Sequence, residues 1–113
     1  MTDQLQDLTH LTIADEHRVL AAATLRTCPD TGTLHADLHV EAGQLPSGTR
    51  IRLVDAVLDQ PTSDPGTRLE VTLPAGDGEI LDRLRQRCTN LHTRLAGSSC
   101  LASGLVLLAP QHS

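Results

Sequence analysis

The chain has 113 residues, a mass of 12.1 kDa, a net charge of −5 and a pI near 5.5, which suits one small domain. It contains no aromatic residue, and all nine of its cations are arginines. This composition argues against a nucleic-acid partner, because there is neither a basic field nor a ring on which bases could stack.

Membrane and secretory functions are also disfavoured. The longest apolar run, residues 105–109, is far shorter than the roughly 20 residues that cross a bilayer. The first ten residues contain no basic segment followed by an apolar one, so no secretory signal is visible. Three cysteines without C-x-x-C spacing are typical of reduced thiols, which predicts a cytoplasmic protein.

The first half of the chain predicts a β-hairpin followed by a helix. Residues 1–16 fit neither period cleanly and predict a flexible arm or an edge strand. Residues 19–26 and 34–41 alternate apolar and polar side chains, and the Pro- and Gly-containing segment between them predicts a turn. Residues 49–59 place their apolar side chains on one arc and predict an amphipathic helix, with a strand over residues 50–54 as the alternative.

The second half predicts strand, helix and strand. A breaker at residues 60–66 precedes an alternating strand at residues 69–73. An apolar stripe at helical spacing predicts a long helix over residues 78–96, with Asp77 as its N-cap and a Glu79–Arg83 pair on its surface. Residues 100–108 show little alternation and predict an interior strand buried on both faces, in which Gly104 marks a bulge.

The order ββαβαβ predicts a single α/β domain over residues 17–109 with a short tail at residues 110–113. Two right-handed crossovers that run the same way across a sheet place both helices on one face. We therefore expect a two-layer sandwich with a four-stranded mixed sheet and one open face. That face would carry Thr24, Arg26, His35, Asp37, His39, Glu41, Arg68, Glu70 and Thr72.

The predicted open face suggests an interaction surface. A small domain without aromatic residues gains stability when a partner covers its sheet, although a solvated polar face is the simpler interpretation. We expect the partner to be another protein or a second copy of the chain in a homodimer. The residues that would contact it are Arg26, His35, His39, Arg68 and Glu70.

A second hypothesis concerns His35, Asp37 and His39, which alternate on one strand and share one face. Neighbouring members are about 6.6 Å apart and can converge on one ion, whereas the outer pair is roughly 13 Å apart. A divalent transition metal would therefore need a ligand from another strand. The alternative is a pair of surface histidines beside an aspartate.

Other candidate sites are weak. Gly76-Asp77-Gly78 precedes a helix, but two acidic side chains would repel a phosphate there. Cys88 falls within the apolar stripe and Cys100 opens a buried strand, so both are expected to be inert. Cys28 is expected to be exposed in the hairpin turn, without a base to activate it. No catalytic set of nucleophile and base can be assembled from spacing.

The element order over residues 19–108 resembles that of a STAS domain, the fold of anti-sigma factor antagonists. In that family the strand before the second helix leads into a turn with a phosphorylated serine. Here the turn reads Pro74-Ala75-Gly76-Asp77-Gly78 and has no hydroxyl group, so no phosphorylation site is implied. The resemblance implies a regulatory module. We therefore expect a non-enzymatic binding protein without a cofactor, and the alternative is the metal-binding protein.

Overall fold

The computed structural model describes residues 8–60 and 66–107. In chain order the elements of that part are β1 (Leu8–Ala14), β2 (Val19–Thr27), β3 (Leu34–Val40), α1 (Thr49–Leu58), β4 (Arg68–Pro74), α2 (Gly78–Arg87), β5 (Cys88–Ala96) and β6 (Ser99–Val106). The predicted tail, residues 110–113, and most of the predicted breaker at residues 60–66 lie outside the described residues.

The six strands form one mixed sheet in the order β1-β2-β3-β4-β6-β5. Strands β3 and β4 are parallel and are joined by α1, whereas the other neighbouring pairs are antiparallel. Helix α2 leads from β4 to β5, which lies at the sheet edge beyond β6. The predicted class, a mixed sheet with two helices, is confirmed. The prediction of four strands is wrong, because β1 and β5 extend the sheet to six.

One apolar core lies between the sheet and the two helices. Alternate residues of β3 and β4 are buried in it together with one side of each helix. The largest buried side chains of the helices are Leu53, Val54, Ile80 and Leu84. The helices therefore cover the same face. We call the opposite side of the sheet the open face; all the residues predicted to lie there do so except Glu41, which follows the end of β3.

The prediction of a helix over residues 78–96 is correct only to Arg87. Cys88 is extended, with φ −132° and ψ 153°, and begins β5. Leu95 seemed to continue the helical stripe but is 75% exposed on the edge strand. Backbone pairing with β6 decides the structure here, and Gly97, with φ 65°, forms a two-residue hairpin turn with Ser98 instead of ending a helix.

The predicted bulge near Gly104 lies in the partner strand. The register of β5 against β6 shifts between Thr89 and His92, where Asn90 has φ 56°. Strand β6 is interior, as expected, but its residues alternate between buried and half-buried instead of being buried on both faces. A Cβ atom at Gly104 would lie 3.0 Å from the carbonyl oxygen of Thr89, so a larger residue there would crowd the bulge.

Replacement of Gly104 by alanine is therefore expected to destabilise the protein by about 1–3 kcal/mol, the usual cost of overpacking. The added methyl group would press on the backbone of the bulge, which cannot move without breaking the β5–β6 ladder. Urea unfolding followed by circular dichroism measures the loss. Alanine at Gly78, where no atom lies within 4 Å of the added carbon, is the control and should change stability little.

Candidate functional site

A cleft opens in the sheet between the two parallel strands. Strands β3 and β4 pair only from Leu34 opposite Leu69 to Asp37 opposite Thr72. Beyond that point residues 38–40 remain paired with β2, and residues 73–74 remain paired with β6. The two strands therefore diverge, and the backbone groups that would have joined them are left without a ladder partner. We call this opening the splayed cleft.

The N-terminus of α1 lies at the same edge as the splayed cleft, because residues 41–48 connect the end of β3 to the helix. Ligands of open α/β sheets bind at this edge, beyond the carboxyl ends of parallel strands. Gly48 occupies the N-cap with φ 84° and supplies no side-chain hydrogen bond. No side chain caps the helix, but the N–H group of Thr49 donates to the carbonyl oxygen of Pro46 at 3.2 Å and that of Arg52 to the carbonyl oxygen of Gly48 at 2.9 Å. The N–H groups between these two are the ones left for a ligand. Thr49 fixes the loop by donating from Oγ1 to the carbonyl oxygen of Pro46 at 2.7 Å.

The two helix N-termini differ in charge. The first turn of α1 contains Arg50 and Arg52 and no acidic residue. In α2, Asp77 caps the helix by accepting from the N–H group of Ile80 at 3.2 Å, and Glu79 follows in the first turn. An anion is therefore favoured at α1, where the helix dipole and the arginines act together, and repelled at α2.

Arg50 and Arg52 have different surroundings. The Nε atom of Arg50 donates to Oδ2 of Asp77 at 2.9 Å, which joins the starts of the two helices. Arg52 is exposed and has no ion-pair partner among residues 8–60 and 66–107. Arg52 is therefore the cation of this turn that remains free to meet an anionic ligand.

Two pairs of polar residues flank the cleft. Asp37 and Thr72 are the last residues of β3 and β4 that lie opposite each other before the strands diverge. His39 lies two residues further along β3, and its Nε2 atom is 2.9 Å from Oε2 of Glu41. With the proton on Nε2 donated to Glu41, the Nδ1 atom of His39 keeps a lone pair and can act as a base.

A hollow of about 310 Å³ lies beside the cleft on the open face. It extends over β4, β6 and β5 and shares Thr72 with the last rung of the β3–β4 pair. Its floor and walls combine apolar, hydroxyl and charged groups. The lining residues are His35, Glu70, Val71, Thr72, His92, Thr93, Arg94, Leu101, Ala102 and Ser103, of which Val71 and Ala102 are buried in the core on the other face of the sheet.

The predicted metal ligands do not form a metal centre. His35 lies 3.4 Å from Glu70 (Nδ1 to Oε1), and His39 is paired with Glu41. Within the part of the chain that the structure describes, no three His, Cys, Asp or Glu residues are grouped to hold a metal ion. The expectation of a divalent transition metal is therefore wrong, because strand spacing keeps these side chains with separate partners.

The remaining predicted site residues keep their expected places. Arg26 and Arg68 lie on the open face with His35, His39 and Glu70, and Arg26 is directly opposite His35 in the β2–β3 register. Their role in binding a protein or a second copy of the chain stays a prediction.

No described helix is long and apolar enough to cross a bilayer.

The three cysteines are free. Cys88 and Cys100 are buried, as expected, and burial raises the pKa of the Cys88 thiol. Cys28, which we expected to be exposed, is half-buried. Hydrogen bonding from the side chain of Thr31 lowers the pKa of the Cys28 thiol.

The uncapped N-terminus of α1, with its two arginines, was missed in the sequence. A signal for it was present: Gly43 and Gly48 bracket a loop that leads into a helix with two arginines and no acidic residue in its first turn. Such charges oppose the helix dipole and lower helix stability. Arg50 is compensated by its ion pair with Asp77, whereas Arg52 has no ion-pair partner among the described residues and is the one that indicates a ligand.

Comparison with known proteins gives a likeness of fold. No model of a known protein family matches the sequence, and a search of curated proteins found no match. Among solved structures, the chain is similar to yncA from Salmonella typhimurium, a proposed acetyltransferase solved with its cofactor acetyl-CoA. The TM-score is 0.60 at 10% identity, over 94% of this chain and 68% of that chain.

This likeness corrects three expectations. The fold is that of the acetyltransferase neighbour and not that of a STAS domain. The element order misled because the β5–β6 hairpin had been interpreted as a helix and a strand. The expectation of a non-enzymatic regulatory module is overturned by a neighbour described as an acetyltransferase, and the expectation of no cofactor by the acetyl-CoA that the neighbour contains.

Proposed function

We propose that this chain is an acyltransferase that binds acetyl-CoA, or a related acyl-CoA thioester, in the splayed cleft and transfers the acyl group to an amine. The observation that supports this most is the divergence of β3 and β4 beyond Asp37 and Thr72, at the edge where α1 begins. We infer the class of ligand from the acetyl-CoA that is bound to the structural neighbour.

The residues at this edge fit two parts of acetyl-CoA. Its diphosphate is an anion, which suits the uncapped first turn of α1 and the free guanidinium of Arg52. Its pantetheine arm contains amides, which can pair with the unmatched backbone groups of residues 38–40 as a strand would. The chain contains no Phe, Tyr or Trp on which the adenine base would stack, so we expect the base to contribute little to affinity.

Acetyl-CoA, when bound, supplies an acyl group activated as a thioester. His39 is the residue placed to accept the proton that the acceptor amine loses as its nitrogen bonds to the acyl carbon and the carbon–sulfur bond breaks. Glu41 holds the imidazole through Nε2 and stabilises the imidazolium that forms. The proton returns to the departing thiolate, so the products are an amide and free CoA.

The proposed activity and the free cysteines both suit a protein inside the cell. Acyl-CoA thioesters are handled inside cells, and the free cysteines suit reducing conditions. We infer a cytoplasmic location.

Binding of acetyl-CoA is tested directly by equilibrium dialysis. The protein lacks Trp, Tyr and Phe, so absorbance at 260 nm reports adenine with almost no protein background. We expect saturable binding, and we expect Arg52→Glu to weaken it at least about 10-fold, because a carboxylate then repels the diphosphate at the start of α1. An acidic residue in the first turn favours a helix, so unfolding would not explain the loss.

Arg85→Glu is the matched control. It makes the same charge change on an exposed side chain in the last turn of α2, away from the cleft, and should leave the affinity unchanged within about twofold. The proposal is wrong if the wild-type protein fails to bind acetyl-CoA at millimolar concentration. It is also wrong if the two variants weaken binding equally, because the loss would then follow net charge rather than the helix N-terminus.

A further inference from the structure

The hollow on the open face has an ordered arrangement of charges across four strands. Two rows of side chains cross it in the sheet register. The row at the last β3–β4 pair consists of Asp37, Thr72, Leu101 and Arg94, and the next row on this face, two residues further from the cleft, consists of His35, Glu70, Ser103 and His92. The hollow therefore has the guanidinium of Arg94 at one corner and the carboxylate of Glu70 near the opposite corner.

Arg94 is exposed and has no ion-pair partner in the described part of the chain. Glu70, which is about half exposed, lies 3.4 Å from His35 and contacts no arginine within ion-pair distance among the described residues. The Cα atoms of Glu70 and Arg94 are roughly 12 Å apart from the strand spacing and rise. Side chains of their lengths can therefore reach the two ends of one small molecule.

The surface between these two charges is partly apolar. Leu101 is half-buried and lies between Thr72 and Arg94, so its side chain supplies the apolar part. The volume of about 310 Å³ is at the small end of the roughly 300–1,000 Å³ range of ligand pockets. The hollow therefore suits a small metabolite with a short apolar part rather than a polypeptide.

We infer that this hollow binds the acyl acceptor and that the acceptor is a free amino acid, with its carboxylate on Arg94 and its amino group on the Glu70 side. The inference deepens the proposed function and rests on it in taking the occupant to be the acceptor. Thr72 belongs both to the hollow and to the last β3–β4 pair before the cleft, and it shares a row with Arg94, so an amino acid bound to Arg94 lies next to the region where the thioester is expected.

Binding of amino acids is measurable without any acyl-CoA. With no Phe, Tyr or Trp, the aromatic NMR resonances of the labelled protein come from its six histidines alone. Each of the twenty unlabelled amino acids is titrated while the ring resonances are followed, and His35 and His92, which line the hollow, should shift. His10, on the edge strand β1, should not shift.

To test whether the carboxylate is recognised, we compare the affinity for the amino acid that binds best with the affinity for the corresponding amine, which lacks the carboxylate. We expect the amine to bind at least about 10-fold more weakly to the wild-type protein. Arg94→Gln should lower affinity for the amino acid by a similar factor while hardly changing that for the amine. Arg94 is exposed, so this variant should fold normally. Arg85→Gln on α2 is the control for the loss of one positive charge.

The outcomes separate this inference from the proposed function. If acetyl-CoA binds but none of the twenty amino acids shifts His35 or His92, or if the amine binds as well as the amino acid, the inference is wrong and the proposed function stands. If an amino acid binds in the predicted way and acetyl-CoA does not, the hollow is an amino-acid site and the proposed function is wrong. Equal losses in Arg94→Gln and Arg85→Gln would also overturn the inference.

Discussion

Replacement of His39 by glutamine is expected to lower the rate of acyl transfer about 100-fold, the usual contribution of a positioned general base. Glutamine keeps a polar side chain of similar size but cannot take up the amine proton. The imidazole is well placed for that step because it lies on β3 just beyond the point where β4 diverges, with its Nε2 atom held by Glu41 at 2.9 Å. Since His39 is exposed, stability should change little.

The measurement is steady-state kinetics with the acceptor amine, following CoA release by mass spectrometry, because the free cysteines of the protein would react with thiol reagents. The loss should appear in kcat, while the acetyl-CoA affinity from dialysis stays the same. His10→Gln is the control: it is the same substitution on the same face of the sheet, at edge strand β1. A His39→Gln rate within twofold of wild type would exclude His39 as the base.

The strands of the first half were predictable because alternation is a local property that one buried face imposes. Leu34, Ala36 and Leu38 are buried, and the intervening residues face outward as the pattern requires. The helix α1 was also chosen correctly over a strand, since Leu53, Val54, Val57 and Leu58 need a helical arc to be buried together. In these segments local pattern and tertiary packing agree.

Strand β5 shows why the second half was harder. Cys88, Leu91 and Leu95 have helical spacing, but their surroundings in the fold decide their structure. Cys88 enters the core, Leu91 packs on its margin beside the Asn90 bulge, and Leu95 is exposed at the sheet edge. The backbone of β6 needs a partner on its outer side, and the turn at Gly97 and Ser98 lets β5 supply it, which hydrophobic spacing alone does not reveal.

The candidate site was only half visible in the sequence for a similar reason. Asp37 and His39 were recognised as neighbours on one strand face, but they were assigned to a metal. The role that we propose for His39 depends on the divergence of β3 from β4, where each strand keeps pairing with its other neighbour. The gap between β3 and β4 depends on strands that are distant in sequence, so it leaves no local sequence pattern. The arginines in the first turn of α1 are a local pattern and could have been recognised.

Asp55 is predicted to be the most important charged residue for stability. Its Oδ1 and Oδ2 atoms accept from Nε and Nη2 of Arg83, both at 2.9 Å, and Oδ1 also accepts from Nη1 of Arg87 at 2.8 Å. Asp55 thus joins α1 to α2, in place of the Glu79–Arg83 pair expected from spacing. Arg87 is only 10% exposed and keeps one longer contact, 3.2 Å to Asp59.

Asp55→Ala is therefore expected to lower the free energy of unfolding by roughly 2 kcal/mol, because it leaves a nearly buried guanidinium without its main partner. Urea unfolding followed by far-UV circular dichroism measures this. Asp82→Ala, which removes an exposed pair with Arg85, should cost less than about 0.5 kcal/mol. Equal losses in the two variants would show that the α1–α2 ion pairs contribute no more than a surface pair does.

The pH dependence of that difference identifies its cause. Partial burial opposes ionisation of Asp55, but hydrogen bonds from Arg83 and the charges of Arg83 and Arg87 outweigh it and hold the pKa of Asp55 below its usual value. A carboxyl group with a lowered folded-state pKa stabilises the protein above its unfolded pKa of about 3.9. The stability difference between wild type and Asp55→Ala should stay constant from neutral pH to about pH 5 and shrink on further acidification. A difference that persists at the lowest pH at which the protein still folds would point to lost packing instead of lost charge.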